Sequence, residues 1–71
     1  MSKNILTTRE KEVFSLLVKN YTTKNIADKL YISEKTVRNH KSNVMQKLEV
    51  ESRTSAVIEL IKLGEIEIEN D

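Results

Sequence analysis

Apolar residues recur along this 71-residue chain at intervals of three and four, and short polar breaks divide them into segments. That period predicts four helices. The first runs near 7–19: Thr7-Thr8-Arg9-Glu10 has capping-box spacing, and Val13, Leu16, Leu17 and Val18 supply the apolar stripe. After Asn20-Tyr21 breaks the pattern, Thr22 caps a second helix near 22–30 that buries Ile26, Ala27 and Leu30. Tyr31-Ile32 connects it to a third helix near 33–48, capped by Ser33. Following Glu49-Val50-Glu51, Ser52 caps a fourth helix near 52–63, with Val57, Leu60 and Ile61 on one face and Gly64 as its stop. The segment 65–71 alternates Ile with Glu at its start and is expected to fray. Tyr21 and Tyr31 are expected to pack near the helix connections. The predicted fold is all-α, a single domain over 1–71 with a helical core at 7–63.

The second and third segments fit one another in a particular way. Ile26, Ala27, Leu30, Ile32 and Val37 fall at offsets 0, 1, 4, 6 and 11. A helix-turn-helix needs a small residue where its helices cross, an apolar residue in the turn and an apolar anchor on the second helix. Many such turns carry glycine after the position of Leu30, where this chain has Tyr31. On the third helix, at about 100° per residue, Val44 and Leu48 lie within about 20° of Val37 and define an inner face. Lys35, Arg38, Asn39, Ser42 and Gln46 occupy the opposite sector. After Glu34 this helix has no acid, so its outer row offers hydrogen bonds and only positive charge. Arg can fork onto guanine, Asn can pair with adenine through two bonds, and Ser can accept or donate.

Charge sharpens this reading once its order is considered. The whole chain is nearly balanced at +1, but residues 1–48 hold ten basic side chains against four acidic ones, a net of +6. Residues 49–71 hold two against seven, a net of −5. Such asymmetry points to a polyanion partner for the first part. The chain contains no cysteine and one histidine, which excludes disulfides and cysteine-ligated zinc. It has no Ser/His/Asp constellation in a workable order and no glycine-rich phosphate loop, so no enzyme is expected. His40 has no partner at metal-ligand spacing and is read instead as a donor at a groove edge. No apolar run is long enough for a membrane span. A chain this short buries only roughly 60% of its unfolded surface, which favours a partner.

The run Leu6-Thr7 through Glu10 and Val13, Thr22 through Ile26-Ala27, and Ile32-Ser33-Glu34-Lys35-Thr36-Val37-Arg38-Asn39-His40 resembles the LuxR/FixJ-type helix-turn-helix DNA-binding domain. Ser42-Asn43, Lys47-Leu48, Val50, Arg53 and Ala56-Val57 continue the resemblance, which covers about residues 5–66. Within that family the chain is most similar to a standalone regulator of spore-forming bacteria, through residues 33–40, Met45-Gln46-Lys47-Leu48 and Gly64-Glu65. The resemblance implies four helices, with the third in the major groove and the fourth forming a dimer interface on promoter DNA. By position it assigns base reading to Arg38, Asn39 and Ser42, the residues that the helical projection also selects. It assigns phosphate contact to Thr22, Thr23, Lys24, Lys35, Thr36, His40 and Lys47. Lys41 departs from the family, which commonly has an aliphatic residue there. Its methylenes are expected to cover the core edge while its ammonium reaches a phosphate.

The fourth helix carries more apolar surface than one small core needs, and Val57, Ile58, Leu60 and Ile61 are the expected homodimer interface. Two-fold pairing would set the two third helices about 34 Å apart, one turn of DNA. The function expected is a sequence-specific double-stranded DNA-binding transcription regulator, cytoplasmic and nucleoid-associated. It needs no cofactor, metal or small-molecule ligand, and RNA polymerase is a further candidate partner. Two other readings fit the same residues. One is a protein-interaction helix-turn-helix module, whose binding would be insensitive to salt. The other is the output domain of a longer response regulator, against which the opening Met1-Ser2-Lys3 favours a standalone protein.

Overall fold

The structure is a computed structural model that describes residues 5–66. Its four helices are α1 (Thr8–Val18), α2 (Thr23–Leu30), α3 (Glu34–Leu48) and α4 (Arg53–Lys62), with no strand among the described residues. The all-α fold is the one predicted, and the helix bounds differ from expectation mainly by the capping residues. Thr7, Thr22, Ser33 and Ser52 are the four N-caps, and each hydroxyl accepts the amide N–H three residues on. Each cap satisfies one donor that the helix itself cannot, worth about 1 kcal/mol. At α1 the box is closed on both sides, because Glu10 Oε1 accepts the Thr7 amide at 2.9 Å.

The helices also end alike. Residues 20, 31, 49 and 64 all have positive φ, between 56° and 76°. In each case the next residue's amide reaches back five positions: Tyr21 to Leu16 O, Ile32 to Ala27 O, Val50 to Met45 O and Glu65 to Leu60 O. This is the Schellman closure, and glycine is its preferred left-handed residue. Here only Gly64 is glycine, whereas Asn20, Tyr31 and Glu49 hold the other three turns. Tyr31 thus stands where the turn geometry favours glycine. Its ring is 94% exposed, which corrects the expectation that it packs at the connection. Tyr21 does pack, half-buried against the core.

α3 packs against each of the other three helices. Val13, Phe14, Ile26, Val37, Val44, Ala56 and Leu60 are fully buried, so every helix contributes to one core. Ile26, Ala27 and Val37 of the helix-turn-helix pattern are buried, with Leu30 and Ile32 half-buried beside them. The core extends past the helical limits to Leu6 and Ile66. The expected fraying is therefore corrected for Glu65 and Ile66. The closure at Gly64 turns the chain back, and Ile66 enters the core while Glu65 is buried beside Lys11, 3.7 Å away. Residues 67–71 lie outside the described residues. Among those described, no helix is long and apolar enough to cross a membrane, and no group of His, Cys, Asp and Glu could hold a metal ion.

Candidate nucleic-acid interface

The two faces of α3 separate cleanly. Val37 and Val44 point fully into the core, while Lys35, Arg38, Asn39, Ser42 and Gln46 are all exposed. The three residues selected for base reading therefore share one solvent-facing row. Arg38 is lightly tethered, with its guanidinium 3.8 Å from Glu34, and both side chains are more than half exposed. An exposed pair of this kind contributes little and leaves the guanidinium free to exchange partners.

Of the residues selected for phosphate contact, Thr22, Thr23 and Lys24 lie at the start of α2 and Lys35 and Thr36 at the start of α3, whereas His40 and Lys41 are in the middle of α3 and Lys47 is in its last turn. Thr22 and Ser33 cap those helices, and the Ser33 and Thr36 hydroxyls lie 2.9 Å apart. The Thr22 hydroxyl accepts from the Asn25 amide at 3.1 Å and keeps its own proton available to donate. Lys24 and Lys35 are exposed, and Thr23 and His40 are half-buried. Lys41 is also half-buried, and its ammonium donates to Thr23 Oγ1 at 3.2 Å. Burial, then the charges of Arg53 and Arg38, push the Lys41 ammonium below the ordinary lysine value.

Lys47, also selected for phosphate contact, is engaged inside the protein. Its ammonium lies 2.6 Å from Glu10 Oε1 and also donates to the Ile5 carbonyl at 3.3 Å. With two of its three donors used inside the protein, Lys47 acts as a strut between α3 and α1. The Glu10 carboxyl is buried, which alone would raise its pKa. The hydrogen bonds from Lys47 and the Thr7 amide, with the charges of Lys47 and His40, outweigh burial and hold it below the ordinary carboxylate value.

On α4, Leu60 also requires correction: it is fully buried in its own protomer's core and is not available to a partner. Ile58 is 48% exposed, and Val57 and Ile61 are half-buried at its flanks. At helical spacing these three form one stripe, while Ala56 and Leu60 face inward. An open groove of about 270 Å³ lies between α1 and α2, lined by Lys11, Glu12, Ser15, Leu16, Lys29 and Leu30. No residue of α3 lines it.

Residues 4–60 match the family described as bacterial regulatory proteins, luxR family. The chain is 63% identical over 67 residues to the spore germination protein GerE of Bacillus subtilis, covering 94% of this chain and 90% of that protein. It is 51% identical over 65 residues to the transcriptional regulatory protein DegU of Brevibacillus brevis, covering 92% of this chain. It is 48% identical over 54 residues to the response regulator protein VraR of Staphylococcus aureus, covering 76% of this chain. The chain spans only 28% and 26% of those two longer proteins. A solved structure of the transcription factor GerE matches with a TM-score of 0.92 at 54% identity, covering 94% of this chain and 100% of the other. None of these relatives is described as an enzyme.

Proposed function

Because the chain belongs to the luxR family of bacterial regulatory proteins, as a GerE-like transcription regulator with a helix-turn-helix, we propose that it binds promoter DNA sequence-specifically as a homodimer. The observation that carries this reading is the outer row of α3. Five side chains able to meet base edges or phosphates stand exposed directly behind two fully buried valines. A row anchored in this way enters a groove as a rigid unit. Arg38, Asn39 and Ser42 read bases, and Thr22, Thr23, Lys24, Lys35, Thr36, His40 and Lys41 set register through the backbone. Val57, Ile58 and Ile61 of α4 pair two protomers so that their α3 helices reach successive turns of one face of the duplex. The 63% identity to the spore germination protein GerE supports a spore-forming host, and a place at the nucleoid follows from the proposed DNA binding.

The partial match to DegU and VraR favours a second arrangement, in which the same domain is the output end of a longer regulator. Binding chemistry is the same in both arrangements, and the source open reading frame distinguishes them. Selection of binding sites from random duplex DNA tests the proposal. A two-fold symmetric consensus is expected, and failure to enrich any sequence overturns it.

A further inference from the structure

Two neighbouring residues of α1 meet charges that arrive from different parts of the chain. Glu10 receives the Lys47 ammonium of α3 at 2.6 Å and the Thr7 amide at 2.9 Å, so its carboxylate is satisfied. Lys11 meets Glu65, just past α4, and this pair is made differently. The Lys11 ammonium stops 3.7 Å from Glu65 Oε1, beyond hydrogen-bond reach. That oxygen is buried with no hydrogen-bond partner among the described residues, on a side chain only 4% exposed. A carboxylate taken out of water on such terms costs stability, and an apolar residue of similar volume in its place is often neutral or stabilising. The pair therefore adds little to holding the fold together, and its place in the fold gives it another role.

Among the helices α4 packs chiefly on α3, and it carries Val57, Ile58 and Ile61, the proposed pairing stripe. Past its end the chain turns back at Gly64, the Glu65 amide donates to Leu60 O at 2.9 Å, and Ile66 enters the core. Burial of Ile66 is non-directional and tolerates α4 at several tilts, whereas an ion pair must bring two particular atoms together and so selects one. We infer that Glu65 and Lys11 are positioning residues for DNA binding: the pair fixes the direction of α4 against α1 and α3, and so the separation of the two α3 helices in the homodimer. This rests on the reading of the chain as a homodimer that pairs through α4. With the α3 helices about 34 Å apart, each lies about 17 Å from the two-fold axis, and a tilt of about 10° moves it by about 3 Å. That is close to one base-pair step of about 3.4 Å, so a loosened α4 no longer distinguishes neighbouring half-site spacings.

Two measurements on the full chain test this role. The double variant K11M/E65L replaces the pair by apolar side chains of similar volume, and E65Q removes the acid alone. In the first measurement, residual dipolar couplings of the backbone amides are recorded without DNA. All four helices of the parent are expected to fit one orientation, and in K11M/E65L the couplings of α4 are expected to depart from the fit that α1, α2 and α3 keep. An α4 that still fits overturns the inference, whatever the protein does with DNA. In the second, binding is compared on the selected duplex and on duplexes whose half-sites are moved together or apart by one base pair. The parent is expected to lose affinity on the order of tenfold at either changed spacing, as for one mismatched base pair, and K11M/E65L less than about threefold. The double variant is expected to melt no lower than the parent, which separates lost positioning from lost stability. A spacing preference as sharp as the parent's in the folded variant overturns the inference, and E65Q carries the same two readings if the double variant does not fold. If the parent shows no spacing preference while α4 is released in the variant, the pair still positions α4, and it is the homodimer reading that falls.

Discussion

α3 carries basic residues on both its flank and its outer face, and the two sets do opposite work. Lys47 reaches a buried carboxylate at 2.6 Å and a backbone carbonyl, closing α3 onto α1. Arg38 and Lys35 stand in solvent, and Arg38 has only a loose exposed neighbour. In composition these are interchangeable cations. What separates them is whether the fold brings a desolvated acid to the end of the side chain. A cation matched internally holds the scaffold rigid, whereas an unmatched one keeps its charge for a partner.

Breaking the internal match should give the largest effect. Lys47→Ala leaves the Glu10 carboxylate buried without its ammonium. It is expected to cost about 2–3 kcal/mol of stability, below the range for fully buried pairs because Lys47 is partly solvated. Urea denaturation measures this, and the salt slope of DNA binding in the folded variant should stay unchanged. A slope lowered by about 1 would place Lys47 in the phosphate set. Arg38→Ala should behave inversely. It is expected to cost roughly 1–3 kcal/mol on the selected site, with relaxed specificity, and to leave stability within about 0.5 kcal/mol. Equal losses on selected and random duplex would remove its base-reading role.

A smaller, pH-dependent effect sharpens the same contrast. The Glu10 carboxyl is held below its ordinary value of 4.5 in the folded state, so its stabilising contribution is complete above that pH and is lost as pH falls through the lower folded value. Glu10→Gln should therefore be less stable than the parent at neutral pH, with the gap narrowing below about pH 4.5. Thermal melts between neutral and acid pH check this, and a constant gap would show that the charge of Glu10 is immaterial. The smallest effect lies at the turn before α3, where Tyr31→Gly relieves a left-handed tyrosine. A gain of about 0.5–1 kcal/mol is expected, because the conformational relief exceeds the added freedom of the unfolded chain. DNA affinity that falls with this substitution would give the exposed ring a role at the interface.

The features that were legible in the sequence are those set by neighbours along the chain. Thr7, Thr22, Ser33 and Ser52 announce their helices because a hydroxyl and an amide three residues on suffice to make a cap. Val37 and Arg38 could be assigned to opposite faces by rotation alone. The role of Lys47 could not, since its partner Glu10 is 37 positions away and only the packing of α1 on α3 unites them. On α4, apolar residues lie on two sides of the helix, so periodicity could not show that Leu60 turns inward while Ile58 remains in solvent. Asn20, Tyr31 and Glu49 fall in the breaks that the pattern marks, but their left-handed closures were not legible because they lack the usual signature of glycine.

The left-handed turns at Tyr31 and Glu49 lie on either side of α3. Between them runs a helix of 15 residues, about 22 Å long. Its C-terminal end is set by backbone closure at Glu49 and its start by the Ser33 cap directly after the closure of α2, so the helix can neither lengthen nor slip by a residue without undoing a cap or a turn. It works as a ruler of fixed length already cut before any duplex arrives, and binding need not spend free energy on measuring it out.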